Sequence, residues 1–266
     1  TVDLVRSMLQ KERQLQKQIF RKIGKRIHRP QIKDDVEIRL TALGGYREVG
    51  RSATLLTTNE SSVLLDCGMN VGNPYDLFPY LDIAGLDMDE LDAVILTHAH
   101  LDHSGLIPYL FKWGYEGPIY MSEPTMHLST MLQLDYMNIC RREGKPSPYS
   151  KSDIKKAVLH TYCLDWGKVT DIAPDVKLTL HNAGHILGSS LMHLHFGSGD
   201  HNLVYTGDFK FQRTRLLEAA SCKFPRLESL IVESTYGGVK DTIPSRNQSE
   251  RELIQVLNKT LKRGGK

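Results

Sequence analysis

The spacing of apolar and polar positions changes character about 36 residues into the chain. Before that point, apolar side chains recur at steps of three or four, which predicts one amphipathic helix over residues 3–27. Short runs rich in β-branched residues follow, and the first predicts a strand at 36–43. Residues 31–35 form a polar linker between the two regions.

The rest of the chain alternates between strand-like and helix-like patterns. Further strands are predicted at 53–57, 62–67, 93–97, 118–121, 176–181, 190–196, 202–206 and 227–233. Helices are predicted around 106–111, 124–141, 152–161 and 248–262. Because strands come in consecutive pairs with helices between them, the pattern predicts an α/β fold with two sheets packed between helices.

The predicted strand at 93–97 ends in a cluster of polar side chains. His98, His100, Asp102 and His103 follow it within six positions, where a rigid strand holds the loop. In extended backbone His98 and His100 point to the same side, so both imidazoles can bind one cation. Asp102 and His103 come after the chain turns and can reach a second cation. Nitrogen and carboxylate ligands favour zinc, with manganese and iron as alternatives.

Three further polar residues lie at strand ends or in turns. Asp66 closes one predicted strand, and Asp208 follows another. His185 lies in a turn between Gly184 and Gly188, which let backbone pass close to a neighbour. Taken alone, each of the three also fits a turn, a helix cap or a packed histidine.

Charge is unevenly distributed along an otherwise ordinary globular composition. Hydrophobic residues make up 40% and charged residues 24% of the chain, and the net charge is only +3. Residues 1–33 hold ten lysines and arginines against two acidic residues, which gives them +8. This asymmetry predicts a polyanionic partner, and a solvated charged helix face is the alternative. The candidate contacts are Lys17, Arg21, Lys22, Lys25 and Arg26.

Cysteine spacing and hydropathy bear on the compartment. The four cysteines are Cys67, Cys140, Cys163 and Cys222. Their wide spacing favours free thiols in a reducing, cytoplasmic compartment. No apolar run approaches the roughly 20 residues of a membrane span, so no membrane partner is expected. The chain starts at Thr1 rather than Met and stops directly after a helical pattern, from which we expect a fragment of a longer protein.

The order of the polar residues resembles the metallo-β-lactamase superfamily over about residues 36–235. In chain order these residues are Asp66, His98, His100, Asp102, His103, His185 and Asp208. The resemblance implies an αββα sandwich with two Zn²⁺ ions at the edge of the sheets. It implies a first zinc held by His98, His100 and His185. Asp102 and His103 would bind the second zinc, Asp208 would bridge both, and Asp66 would hydrogen-bond to a ligand or to bound water.

A second resemblance narrows the group within that superfamily. Residues 230–237, which include Glu233, are similar to the first signature of the β-CASP nucleases, and residues 44–52 to the start of their nuclease core. In those enzymes the acidic residue pairs with a later histidine; a carboxylate that caps the strand end is the alternative for Glu233. The match is best to archaeal relatives of the eukaryotic pre-mRNA 3′-end endonuclease, in particular transcription termination factors. Those proteins carry KH domains, so the basic helix is expected to end a KH region.

The resemblance implies a zinc-dependent ribonuclease in RNA 3′-end formation or transcription termination. Cleavage would be endonucleolytic, with 5′–3′ exonuclease activity as an addition. Asp66, Asp102 and Glu233 would be the catalytic residues. The expected partners are RNA and the RNA polymerase or RNA-processing machinery. A small-molecule hydrolase of thioesterase or lactonase type and a non-catalytic RNA-processing scaffold are the alternatives.

The resemblance also sets the expected domain boundaries. Residues 1–35 would end the KH region, residues 36–236 would form the N-terminal part of the metallo-β-lactamase domain, and residues 237–266 would begin the β-CASP domain. Two later family histidines have no candidate beyond His201. We therefore expect one firmly bound zinc where an intact site holds two, and poor RNA cleavage. A homodimer would form through parts outside this chain.

Overall fold

The protein is a mixed α/β chain, and its computed structural model describes residues 2–31, 37–82 and 86–265. The helices are α1 (Val2–Lys11), α2 (Arg13–Ile27), α3 (Leu101–Ser104), α4 (Ile107–Lys112), α5 (Glu123–Arg142), α6 (Lys151–His160) and α7 (Arg246–Lys262). The strands are β1 (Arg39–Gly44), β2 (Ala53–Thr57), β3 (Ser62–Leu65), β4 (Ala93–Ile95), β5 (Ile119–Met121), β6 (Thr161–Cys163), β7 (Thr170–Ala173), β8 (Val176–Asn182), β9 (Ser190–Phe196), β10 (His201–Tyr205) and β11 (Ser229–Ile231).

The strands in the described part of the chain form two sheets. The first has the order β1-β2-β3-β4-β5-β6 and the second the order β11-β10-β9-β8-β7. In the first sheet, strands β3 to β6 run parallel to one another. Because parallel strands end at the same edge of a sheet, the loops that follow β3 and β4 lie side by side.

Alternate residues of β4 show how the layers pack. Val94 belongs to a core that includes Leu110 of α4, whereas Ala93 and Ile95 belong to a core that includes Leu194 of β9. Successive strand residues point to opposite faces, so the first sheet packs between helices and the second sheet. This confirms the predicted α/β sandwich of two sheets. The outer face of the second sheet contacts a segment that carries Phe209 and Phe224.

The N-terminal helix is interrupted at Glu12. The prediction of one continuous helix is wrong here, because α1 ends at Lys11 and α2 begins at Arg13. Glu12 has a φ of −102° and a ψ of 16°, outside the regular helix. Its carboxylate is paired with the ammonium group of Lys155 in α6. This contact with a distant helix is absent from the local sequence pattern.

Two strands were missing from the predicted pattern. β6 is three residues long and pairs with β5, and β7 pairs with β8. Their sequences, Thr-Tyr-Cys and Thr-Asp-Ile-Ala, lack the consecutive apolar residues that marked equally short strands such as β4. Val36, the predicted start of the first strand, and residues 32–35 of the predicted linker lie outside the described residues.

The chain divides into two compact units, Thr1–Glu233 and Ser234–Lys266. In the second unit, α7 is capped by Ser245, whose side chain accepts a hydrogen bond from the backbone N–H of Gln248 at 3.3 Å. Among the described helices, none has the length and apolarity that crossing a membrane requires. The KH region and the predicted domain boundary after residue 236 stay predictions.

Candidate metal centre

The predicted polar residues meet at the edge where β3 and β4 end. The backbone N–H of Asp66 donates to the carbonyl of Ile95 at 2.8 Å, which fixes the two loops side by side. At the same edge, the N–H of Ser190 donates to the carbonyl of Thr97 at 2.9 Å. This bond joins the first sheet to the start of β9, so the loop that carries His185 comes to the end of β4.

Three histidines turn ring nitrogens towards one point. Nε2 of His98 lies 3.0 Å from Nδ1 of His100, and Nε2 of His185 lies 3.3 Å from that same atom. In a tetrahedral zinc site with bonds of about 2.05 Å, neighbouring ligand atoms are about 3.3 Å apart. The spacing of these nitrogens therefore fits a shared cation.

The carboxylate of Asp208 faces His98 and His185 with one oxygen and His103 with the other. Its Oδ2 lies 3.8 Å from Nε2 of His98 and 3.5 Å from Nε2 of His185. Its Oδ1 lies 3.5 Å from Nε2 of His103. One donor atom from each of His98, His100, His185 and Asp208 lies within 4.8 Å of the others, a set that could hold a metal ion. The nitrogen and carboxylate donors suit zinc.

The remaining predicted ligands lie on the other side of Asp208. Asp102 and His103 are in the short helix α3, and Oδ2 of Asp102 lies 4.0 Å from Nε2 of His103. Nδ1 of His103 donates to Oδ2 of Asp66 at 2.8 Å, which leaves Nε2 directed at Asp208. Asp102, His103 and Asp208 thus offer three groups to a second cation.

Thr97 links the ligands behind the cluster, and sequence reasoning missed it. Its hydroxyl lies 2.9 Å from Oδ2 of Asp66 and 3.0 Å from Nδ1 of His98. With Nε2 of His98 facing the other ligands, Nδ1–H donates to the threonine oxygen, whose own hydrogen goes to the carboxylate. Asp66 therefore orients His103 directly and His98 through Thr97. A threonine at a strand end carries no signal of this role in the sequence.

Two glycines allow backbone segments to approach closely at the site. A Cβ at Gly68 would lie 1.6 Å from the carbonyl oxygen of Asp102. Gly207, with φ +51°, packs against Thr97, and its Cβ would lie 2.6 Å from that side chain. Asp66 also has a left-handed backbone, with φ +59°, which aspartate adopts more readily than most residues. The chain is locally strained where the ligands converge.

Burial and neighbouring charges shape the protonation of the cluster. Burial lowers the pKa of His98 well below its usual value, and His103, His100 and His185 lower it further. Its ring therefore keeps the free lone pair that a metal needs. Burial works against a charged His103, but mainly Asp66 and Asp208 raise its pKa to about 10. Burial also opposes a charged Asp208, yet hydrogen bonding to His103 lowers its pKa.

The other predicted site residues lie in two places. Glu233 follows β11, its backbone N–H donates to the hydroxyl of Thr206 at 3.2 Å, and its charge acts on His185. The predicted RNA contacts are all in α2, which contributes no residue to the metal cluster. Of these, Lys22 is paired with Glu116 and Arg26 with Asp92.

Comparison with known families agrees with this geometry. Residues 46–259 match the family described as the metallo-beta-lactamase superfamily. The chain belongs to the metallo-β-lactamase superfamily, whose fold supports metal-dependent hydrolysis.

Three archaeal relatives, each called transcription termination factor FttA, match the whole chain. The protein of a Lokiarchaeum species is 65% identical to it over 266 residues. The proteins of Methanothermobacter thermautotrophicus and Methanocaldococcus jannaschii are 54% and 53% identical over 267 residues. The chain spans 42% of the length of each of these relatives.

Proposed function

We propose that this chain carries the metal-binding part of a ribonuclease that hydrolyses RNA phosphodiester bonds. The observation that carries the proposal is the convergence of three imidazoles on one point, with Asp208 facing both them and His103. Paired metal subsites that share a carboxylate suit in-line displacement at phosphorus.

Two further observations favour RNA as the substrate class. The relatives that match the whole chain are called transcription termination factors, and termination acts on a nascent RNA. The segment around Glu233 is similar to the β-CASP nuclease signature. We therefore place the activity in transcription termination or RNA 3′-end formation, with RNA and the transcription machinery as partners.

Each residue of the centre has a separate task in this proposal. His98, His100 and His185 would hold one zinc, and Asp102 and His103 a second, with Asp208 between them. When bound, such ions lower the pKa of a water molecule towards neutrality and offset the charge that grows on the phosphate oxygens. Asp102, His185 and Asp208 are partly exposed, so their outer atoms can meet a substrate.

Asp66, which was expected among the catalytic residues, would act in this proposal by orienting the ligands. It is completely buried and accepts bonds from Thr97 and His103. A carboxylate in this position orients ligands without touching the substrate. Glu233 lies after β11, close enough for its charge to act on His185, although burial keeps the pKa of that histidine below its usual value. We propose that Glu233 orients a proton donor for the leaving 3′-oxygen.

The test measures cleavage of a 5′-labelled RNA with zinc or manganese. Because the chain spans 42% of its relatives' length, the assay covers both this chain and a protein of the relatives' full length that carries it. We expect metal-dependent cleavage by the longer protein, weak cleavage by the chain alone, and 3′-hydroxyl and 5′-phosphate ends. His98→Ala should abolish cleavage.

The same assay separates the alternatives. Hydrolysis of a thioester or lactone without cleavage of RNA would identify a small-molecule hydrolase. Protein without bound metal and without any hydrolysis would identify a scaffold. Wild-type cleavage by the His98→Ala protein would show that the chemistry occurs elsewhere.

A further inference from the structure

The outward face of α2 carries four cations in a row. We call Arg13, Lys17, Arg21 and Lys25 the basic stripe; all four are exposed. Residues four apart lie on one face of a helix, and each step rises about 6 Å. α2 contains no acidic residue, so no pair four residues apart offsets this charge. Within the described ranges, none of the four side chains makes an ion pair or a hydrogen bond.

The neighbouring cations are used in a different way. Nε of Arg26 lies 2.8 Å from Oδ1 of Asp92, and Nη1 of Arg29 lies 2.7 Å from the same oxygen. Asp92 is buried, so these pairs are shielded from solvent. Lys22 pairs with Glu116. These three cations anchor the helix, which leaves the basic stripe without a structural task.

The anchor also locates the helix relative to the metal centre. Asp92 immediately precedes β4, and Glu116 lies shortly before β5. His98 and His100 follow β4 at its other end, where the remaining ligands join them. The anchored end of α2 therefore lies at the amino edge of the first sheet, opposite the edge that holds the ligands.

We propose that the basic stripe binds the phosphates of single-stranded RNA at a surface separate from the metal centre. The proposal rests on the proposed function for its choice of polyanion. Cations spaced along a straight helix can meet successive phosphates of an extended strand. The residues between them on this face are Gln14 and Gln18, whose amides can bond to ribose or base edges.

The same face is a poor membrane surface. A helix that binds lipid needs its apolar side free to enter the bilayer boundary. In α2 the apolar side is occupied, because Ile23 is buried and the ring of Phe20 packs edge-on against Tyr162 at 5.5 Å. Apart from Leu15, which is 44% exposed, the exposed side chains of α2 are charged or carry amides. Phosphates in water, rather than lipid, match this chemistry.

The basic stripe should affect the affinity for RNA but not the hydrolysis at the metal centre. Counterions released from a single strand give a slope of about −0.7 per phosphate contact in a plot of log affinity against log salt. The experiment measures binding of a fluorescent oligouridylate to the chelator-treated 266-residue chain at several salt concentrations. Chelation keeps the RNA intact during the measurement.

The test variant combines Lys17→Ala, Arg21→Ala and Lys25→Ala. Alanine keeps the helix, and none of the three side chains holds the fold. We expect the affinity to fall roughly tenfold and the salt slope to shrink by about 2, because three contacts are lost. An affinity and slope equal to those of the wild type would overturn the proposal.

The matched control combines Lys151→Ala, Lys168→Ala and Lys223→Ala. These lysines are also exposed, and the change in net charge is the same, but they are scattered over the chain. The control should bind RNA as the wild type does. An equal loss in both variants would show a general charge effect and overturn the proposal. Vesicles of phosphatidylserine that bind the chain when RNA does not would overturn it as well.

Cleavage by the longer protein separates this proposal from the function on which it rests. If the RNA is never cut but the stripe variant still loses affinity, the ribonuclease proposal fails and the binding surface stands. If the RNA is cut and the stripe variant binds normally, the ribonuclease proposal stands and the binding surface fails.

Discussion

The chain contains two histidine clusters that have opposite chemistry. The metal cluster lies at the ends of β4 and β10 and includes His98, His100 and His185. The outer histidine cluster is formed by His181, His193 and His195 on β8 and β9. The rings of His193 and His195 are 4.2 Å apart, closer than those of His98 and His100 at 4.8 Å. The distance between rings therefore does not distinguish the metal cluster from the outer histidine cluster.

Hydrogen-bond partners distinguish them. In the outer histidine cluster, Nε2 of His193 donates to the carbonyl of Arg226 at 3.0 Å. Both nitrogens of His195 are used, one with Asn202 at 2.7 Å and one with Thr179 at 2.9 Å. These nitrogens bond to protein groups, and in the described part of the chain only Nε2 of His181 in this cluster is buried without a hydrogen-bond partner. The metal cluster instead aims three nitrogens at each other, an arrangement that a cation would stabilise.

The comparison shows what makes a histidine cluster a metal site. It needs ring nitrogens that converge, a carboxylate that faces them, and partners that hold the opposite nitrogens. For His98, Asp208 is the facing carboxylate and Thr97 is the partner of the opposite ring nitrogen. Among the described residues, only the set of His98, His100, His185 and Asp208 meets the distance condition.

The largest expected effect comes from removing a ligand. Zinc at about 100 times its Kd should stabilise the wild-type chain by about 2.7 kcal/mol, and a thermal-shift titration measures this. The His98→Ala protein should lose most of this stabilisation, because only two of the three imidazoles that would hold the first zinc remain.

The outer histidine cluster provides the matched control. His195→Ala should keep the full gain, because both nitrogens of that ring face protein groups. Loss of the zinc effect in His195→Ala, or its retention in His98→Ala, would contradict the assignment.

A smaller effect is expected from the residue behind the ligands. Thr97→Val removes the hydroxyl between His98 and Asp66 without changing the volume of the side chain. Zinc affinity should fall about 10- to 100-fold, the usual effect of losing a partner that orients a ligand. Competition with a zinc-binding dye measures it. Thr97→Ser should retain affinity, and equal loss in both would show that packing rather than the hydroxyl matters.

The smallest effect concerns pH and the outer histidine cluster. Burial, followed by the charges of His195 and His181, lowers the pKa of His193 to about 4, against about 6.5 in an unfolded chain. Between pH 6.5 and pH 4 the unfolded chain binds more protons than the folded chain. The free energy of unfolding is therefore highest above pH 6.5 and falls as the pH drops towards 4.

This pH dependence can be measured by the melting temperature of the chelator-treated chain. Between pH 7 and pH 5 the wild type should lose about 3 °C more than His193→Gln, which lacks the titrating ring. Identical losses would mean that His193 does not stay neutral in the folded chain. Chelation keeps metal release from contributing to either curve.

Much of the metal cluster could be predicted, because its first members are close in sequence. His98 and His100 were expected on one side of extended backbone, and their nitrogens lie 3.0 Å apart. His185 and Asp208 were placed with them only through resemblance to a family. Their proximity depends on the contact between Ser190 and Thr97 at the junction of two sheets, which no local pattern encodes.

The N-terminal region shows why other features could not be predicted. Its basic residues look alike in the sequence, yet Arg26 is bound to a buried carboxylate 66 positions away, whereas Arg21 points to solvent. Glu12, where the helix is interrupted, likewise has its partner Lys155 143 positions away. Periodicity identifies the apolar face of a helix, but whether a polar side chain is paired or exposed depends on tertiary contacts.

Gly68 has a consequence for how the sequence can vary. A Cβ there would overlap the backbone of Asp102, whereas a Cβ at Gly24 would meet nothing within 4 Å. A library of all amino acids at position 24 should therefore yield many folded proteins, while position 68 should accept glycine alone. A tightly constrained position beside the metal cluster thus has no side chain of its own, and a search for functional groups would pass over it.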